Sequence, residues 1–203
     1  MINNSITMNI FKKKKTLEPA CPVDRNKAIT GFTRIIQLFG NAQAKVAPDV
    51  IPIYLYIQDR KSGNTLCFMS PTFFAKINMH QSCAGHGFSM VLNETILEDY
   101  YASFTQSDVA KVFTRGKGII DSPGCLHEKC EYYIKDFGYD ADEASAVTAM
   151  LLEQVFKLKP EDVSIEIQLF GADEDGQDGQ ESSTAFDYEG NVIARSGFKH
   201  DLF

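Results

Sequence analysis

The sequence predicts an α+β fold: a single domain with a mostly antiparallel sheet and amphipathic helices packed on one face. Three observations predict it. Short β-branched and aromatic runs bounded by polar turns recur at both ends of the chain. Longer stretches with apolar residues at helical spacing lie between them. No repeat or linker divides the 203 residues into separately cored halves, and that length suits one domain.

The elements follow in order. Residues 1–22 are polar, carry the basic run Lys12 to Lys15, and are expected to form a flexible arm. Met8 offers an alternative natural start to Met1. The domain proper is expected over 23–203. Asp24 is placed to cap a helix whose apolar stripe is Ala28, Ile29, Phe32, Ile35, Ile36 and Phe39, with Gly40 as its terminator. Residues 51–58 (IPIYLYIQ) and 65–70 (TLCFMS) flank a Gly-containing turn and read as a β-hairpin. Ser70-Pro71 resembles a helix start, with Phe73, Phe74 and Ile77 as its buried side. Phe88 to Leu92 reads as a third strand.

Two helical stretches are expected at about 95–104 and 107–113, then a glycine-punctuated loop at 116–124. Cys130, Tyr133, Ile134 and Phe137 fall at helical spacing before Gly138, which predicts a helix from about His127. Asp140 and Glu143 form the pattern of a capping box, opening a further helix to Leu158. Residues 163–170 (VSIEIQLF) alternate apolar and polar, as a strand with one wet face does. An acidic surface loop at 172–182 follows, and Glu189-Gly190-Asn191 turns a last hairpin.

Charge and composition exclude whole classes of function. Hydrophobic residues make up 44% of the chain, enough for a core without metal or disulfides. Lys plus Arg number 20 against 27 Asp plus Glu, a net charge of −7, which argues against sequence-independent nucleic-acid binding. The five cysteines (Cys21, Cys67, Cys83, Cys125, Cys130) are too sparse for a disulfide framework. The opening residues lack a signal peptide's charge order, and no 18 apolar residues run together. These features predict a cytoplasmic protein with reduced thiols and no membrane span.

Several residue groups could carry chemistry. His80-x-x-Cys83-x-x-His86 and Cys125-x-His127-x-x-Cys130 hold donors of the kind zinc takes, four of which would have to converge. Alternatively Cys83 is a nucleophile, with His86 or His80 drawing off its proton. The preferred reading is that Cys67, Cys83 and Cys130 are small apolar packing residues in the core. From Asp173 the acidic loop offers oxygen ligands but lacks the glycine and the final glutamate of a calcium loop. Arg115-Gly116-Lys117-Gly118 could meet an anion yet lacks the ending of a phosphate loop. No cofactor is implied.

Tyr54-x-Tyr56 puts two tyrosines on one face of a strand, opposite Ile53, Leu55 and Ile57. The element order over about 25–170 resembles that of small secretion-chaperone domains. That resemblance implies a helix-and-sheet surface that binds another protein chain, and it carries over no site residues. Together these features predict a non-enzymatic protein-binding module of adaptor, chaperone-like or inhibitor type. Its binding residues would be Asp173, Glu174, Asp175 and Asp178 as an electrostatic loop, with Tyr54 and Tyr56. A homo-oligomer is compatible with such faces. The competing expectation is a thiol- or zinc-dependent hydrolase built on the two Cys/His segments.

Overall fold

The structure, a computed structural model, describes residues 23–45, 53–69, 87–119, 129–170 and 181–198. The N-terminal arm, the helix expected after Ser70-Pro71 and most of the acidic loop lie outside the described residues.

Among the described residues eight strands form one sheet: β1 (Ile53–Asp59), β2 (Thr65–Met69), β3 (Phe88–Asn93), β4 (Thr114–Ile119), β5 (Lys129–Gly138), β6 (Val163–Phe170), β7 (Glu181–Phe186) and β8 (Val192–Gly197). Their order across the sheet is β4-β5-β3-β2-β1-β6-β7-β8, and every neighbouring pair is antiparallel. The described helices are α1 (Thr30–Lys45), α2 (Glu94–Leu97), α3 (Tyr101–Gln106) and α4 (Ala141–Met150), and α4 runs on into a π-helical turn, Leu151–Phe156. The predicted α+β class, with its mostly antiparallel sheet and helices on one face, is the one found.

One cluster of side chains joins that helical layer to the sheet. Phe32, Ile35, Ile36 and Phe39 of α1 and Ala144 and Val147 of α4 are essentially solvent-free against Leu55, Phe68, Ile165 and Ile167. Burying each large member contributes about 1.5–3 kcal/mol relative to exposure. α1 is the amphipathic partner, whereas seven of the ten residues of α4 are buried. A polar staple fixes the two helices: Ser145 Oγ accepts from the Ile29 N–H at 2.9 Å and donates to the Ile29 carbonyl at 3.0 Å.

Several local expectations are corrected. Asp24 caps a short 3-10 turn, Arg25–Lys27, accepting from the Asn26 N–H at 3.0 Å, and α1 starts only at Thr30. Gly40 does not end α1. It is buried mid-helix, where a Cβ would come within 3.2 Å of the Phe88 ring. The predicted loop from 116 is the edge strand β4 in its first part, and the helix expected from His127 is strand β5 over Lys129–Gly138. Gly138 therefore ends a strand, with φ at 58°. The capping box is half formed: Asp140 Oδ1 accepts from the Glu143 N–H at 2.9 Å, while the Glu143 carboxylate pairs with Lys135 at 2.9 Å.

Candidate functional site

The described helices lie on one side of the sheet, so the opposite face follows from the register alone. Tyr54, Tyr56 and Gln58 of β1 stand beside Gln168, Glu166 and Ser164 of β6. On the other flank Tyr56 faces Cys67 of β2. Beyond β6, Ser183 and Ala185 of β7 adjoin Gln168 and Glu166, and Glu181 adjoins Phe170. None of these residues belongs to the core cluster. The outward positions of β1, β2 and β6 are mostly half-buried, neither core nor fully wet.

The tyrosines form an aromatic strip with a residue the sequence pattern did not link to them. Tyr54 and Tyr56 lie with ring centroids 5.9 Å apart and planes at 24°. The Phe170 ring meets Tyr54 edge-on at 5.5 Å. Offset and edge-to-face contacts of this kind hold aromatic surfaces in fixed orientation. The Tyr54 and Tyr56 hydroxyls are both raised in pKa, chiefly by burial and then by the neighbouring Cys67, so the strip stays neutral and a hydrogen-bond donor at ordinary pH.

Carboxylates share the face, Glu166 beside the strip and Asp136 three strands away on β5. Glu166 accepts from Gln168 Nε2 at 3.1 Å and contacts the Ser183 hydroxyl. Ser89 contacts Asp136, the outward carboxylate of β5. Among the described outward strand positions the charged residues are Asp136, Glu166 and Glu181, and none is Lys or Arg. At its described positions the face is aromatic in its middle and acidic in charge.

Towards β3, β4 and β5 the same face is drier. Val91, Tyr132 and Ile134 point outward by register and are at most 7% exposed. Tyr132 lies across Gly116 of β4, where a Cβ would sit 2.5 Å from its ring. Gly116 is thus explained by packing in an edge strand, not by an anion loop around Arg115 and Lys117.

The other sequence candidates fare differently. Cys67 does not pack in the main core. It sits on the outer face, where burial pushes its thiol pKa up to about 12. His80, Cys83, His86, Cys125 and His127 lie outside the described residues, as do Asp173, Glu174, Asp175 and Asp178. The backbone of Cys130 stands opposite Gly118 in β5, a strand position rather than the helical one expected. Among the described residues no three His, Cys, Asp or Glu side chains are grouped so as to hold a metal ion. No described helix is long and apolar enough to cross a membrane.

One further depression, of about 510 Å³, opens on the helical side between Lys27, Gln106, Asp108, Glu153 and Lys157. Its charges are of both signs and partly paired, Lys27 with Glu153 at 3.2 Å and Asp108 with Lys111 at 2.6 Å.

The chain matches no protein-family model, no curated protein and no solved structure. The resemblance in element order to secretion chaperones therefore assigns no family, and strands β4 and β5 stand where that order had a loop and a helix.

Proposed function

We propose that this protein is a non-enzymatic protein-binding module that works through the outer face of its sheet, centred on Tyr54, Tyr56 and Phe170. One observation carries the reading: every described helix contributes to a core on the other side, while this face keeps a partly exposed aromatic strip. Tyrosine gives large contact area with little rotamer entropy to lose, which is why it is enriched where proteins meet. The sequence adds a second feature. The acidic residues Asp173, Glu174, Asp175 and Asp178 fall in the connection between Phe170 and Glu181, which are cross-strand neighbours beside Tyr54. Their charge would raise the association rate of a basic partner without setting its affinity.

Affinity capture from the native host with the wild-type chain and with a Tyr54→Ser/Tyr56→Ser variant tests the reading. The variant must keep the wild-type far-ultraviolet dichroism and melting behaviour. The expected result is a protein retained by the wild type and lost by the variant. Equal retention by both, or none by either, would contradict it. For a captured partner, neutralising Asp173, Asp175 and Asp178 to Asn is expected to slow association markedly at low salt and little at high salt.

A further inference from the structure

We infer that the outer face takes an arginine-bearing segment of another polypeptide, its guanidinium groups lying on the tyrosine rings between the carboxylates; this rests on the protein-binding reading above. Charge complementarity selects the chemistry. Asp136, Glu166 and Glu181 are the charged residues at the described outward strand positions, so the partner must bring positive charge to neutralise them as water leaves. A phosphate-bearing or lipid surface would meet only repulsion there. A second copy of the same face would bring carboxylates against carboxylates, a costly juxtaposition.

Arginine suits the site better than lysine. Its planar guanidinium stacks on an aromatic face and is weakly hydrated, while its fork of donors meets a carboxylate along two bonds. Both halves of that recognition stand side by side here: Glu166 is the cross-strand neighbour of Tyr56, and Glu181 is that of Phe170, whose ring abuts Tyr54. The carboxylate of Glu166 is held from within the sheet by Gln168, and it is in place before a ligand arrives. An extended segment repeats its side chains on one side about every 6.6 Å. That interval is close to the 5.9 Å between the two tyrosine rings.

The test uses the full chain and three labelled synthetic peptides in which serine alternates with arginine, lysine or uncharged citrulline. Fluorescence anisotropy is expected to show the arginine peptide binding about fivefold or more tighter than the lysine peptide of equal charge, with the citrulline peptide weakest. Tyr54→Leu/Tyr56→Leu, which keeps apolar bulk but removes the π faces, is expected to erase the arginine preference over lysine. Glu166→Gln/Glu181→Gln is expected to weaken both basic peptides and flatten their salt dependence. Equal binding of arginine and citrulline peptides, or an arginine preference untouched by the leucine variant, would overturn the proposal. A tenfold gain in peptide affinity on replacing Lys12 to Lys15 by serine would also overturn it, because the chain's own basic run would then be the occupant. If affinity capture still depends on Tyr54 and Tyr56 while the peptides are not discriminated, the binding face stands and its arginine chemistry alone falls.

Discussion

Cys67 illustrates how position changes what a side chain can do. Cysteine on an outward strand position would ordinarily be a candidate reactive thiol, yet the sulfur here is desolvated and donates only a long contact, 3.7 Å, to the Phe68 carbonyl. With a pKa of about 12, only about one thiol in ten thousand is ionised at pH 8. Since the thiolate is the attacking species, native Cys67 is expected to alkylate with iodoacetamide at least about a hundredfold more slowly than in urea. Peptide mapping by mass spectrometry checks this, and equal rates would show that the sulfur is open. Asp59 is the converse case. Its carboxylate accepts from the Ser62 hydroxyl at 2.5 Å and from the Lys61 and Ser62 N–H groups at 3.0 and 3.1 Å, which closes the β1–β2 turn. The Ser62 hydroxyl bond above all, and then the Lys61 N–H bond, hold its pKa below the ordinary 3.8. A depressed carboxylate lends stability that is complete above the unfolded value and lost as pH falls through the folded one. The urea midpoint of the wild type should therefore drop below about pH 4 more steeply than that of Asp59→Asn. Parallel curves would remove Asp59 from the acid response.

Among the elements, legibility in sequence followed solvent. β6 was plain because one face is core and the other half-wet, so apolar and polar residues alternate over Val163–Phe170. β5 was misread as a helix because Tyr132, Tyr133 and Ile134 are all buried, two on the outer face and one in the core. Alternation disappears in such a strand, and the spacing of Cys130, Tyr133, Ile134 and Phe137 coincides with a helical period. β4 was hidden by its glycines, which have meaning only once the Tyr132 ring is laid over Gly116. Of the candidate site, the alternation Tyr54-x-Tyr56 exposed the face, but Phe170 and Glu166 join it through the pairing of β1 with β6, elements about a hundred positions apart, as the Ser164–Gln58 bond (106 positions) shows, and Glu181 joins it through the pairing of β6 with β7. No local pattern encodes that adjacency. The helical layer depends on equally non-local contacts. Gly31 brings α1 against the turn after β7, where a Cβ would lie 2.1 Å from the Tyr188 carbonyl oxygen. Gly31→Ala is expected to cost roughly 1–3 kcal/mol as the turn is forced away. Ser145→Ala, which orphans the Ile29 N–H and leaves the Ile29 carbonyl only the Thr33 N–H, should cost a similar amount, about 1–3 kcal/mol. Chemical denaturation measures both, and a wild-type midpoint in either variant would show that the contact is not maintained.

For the whole molecule, the sheet's two flanks and two faces are treated differently. One face is sealed by the described helices. One edge, β8, is exposed along its length but carries a bulge where Val192 pairs with Phe186 and Ala194 with Ala185, leaving Ile193 unpaired and 60% exposed. Bulged edges resist strand-on-strand association. The remaining surface of consequence is the outer face, where aromatic rings and carboxylates share one plane. Its use is directly observable, because the molecule supplies its own control tyrosines: Tyr101, Tyr139 and Tyr188 are exposed at 43%, 54% and 40%. They lie with the helical layer, Tyr101 beside Tyr133 of the core, Tyr139 against Phe88, and Tyr188 over Gly31. Hydroxyl-radical oxidation of side chains, read by mass spectrometry with and without a captured partner, is the most direct measurement. The account predicts that partner binding protects Tyr54, Tyr56 and Phe170 severalfold and leaves Tyr101, Tyr139 and Tyr188 unchanged; protection of those three with Tyr54 and Tyr56 unaffected would contradict it.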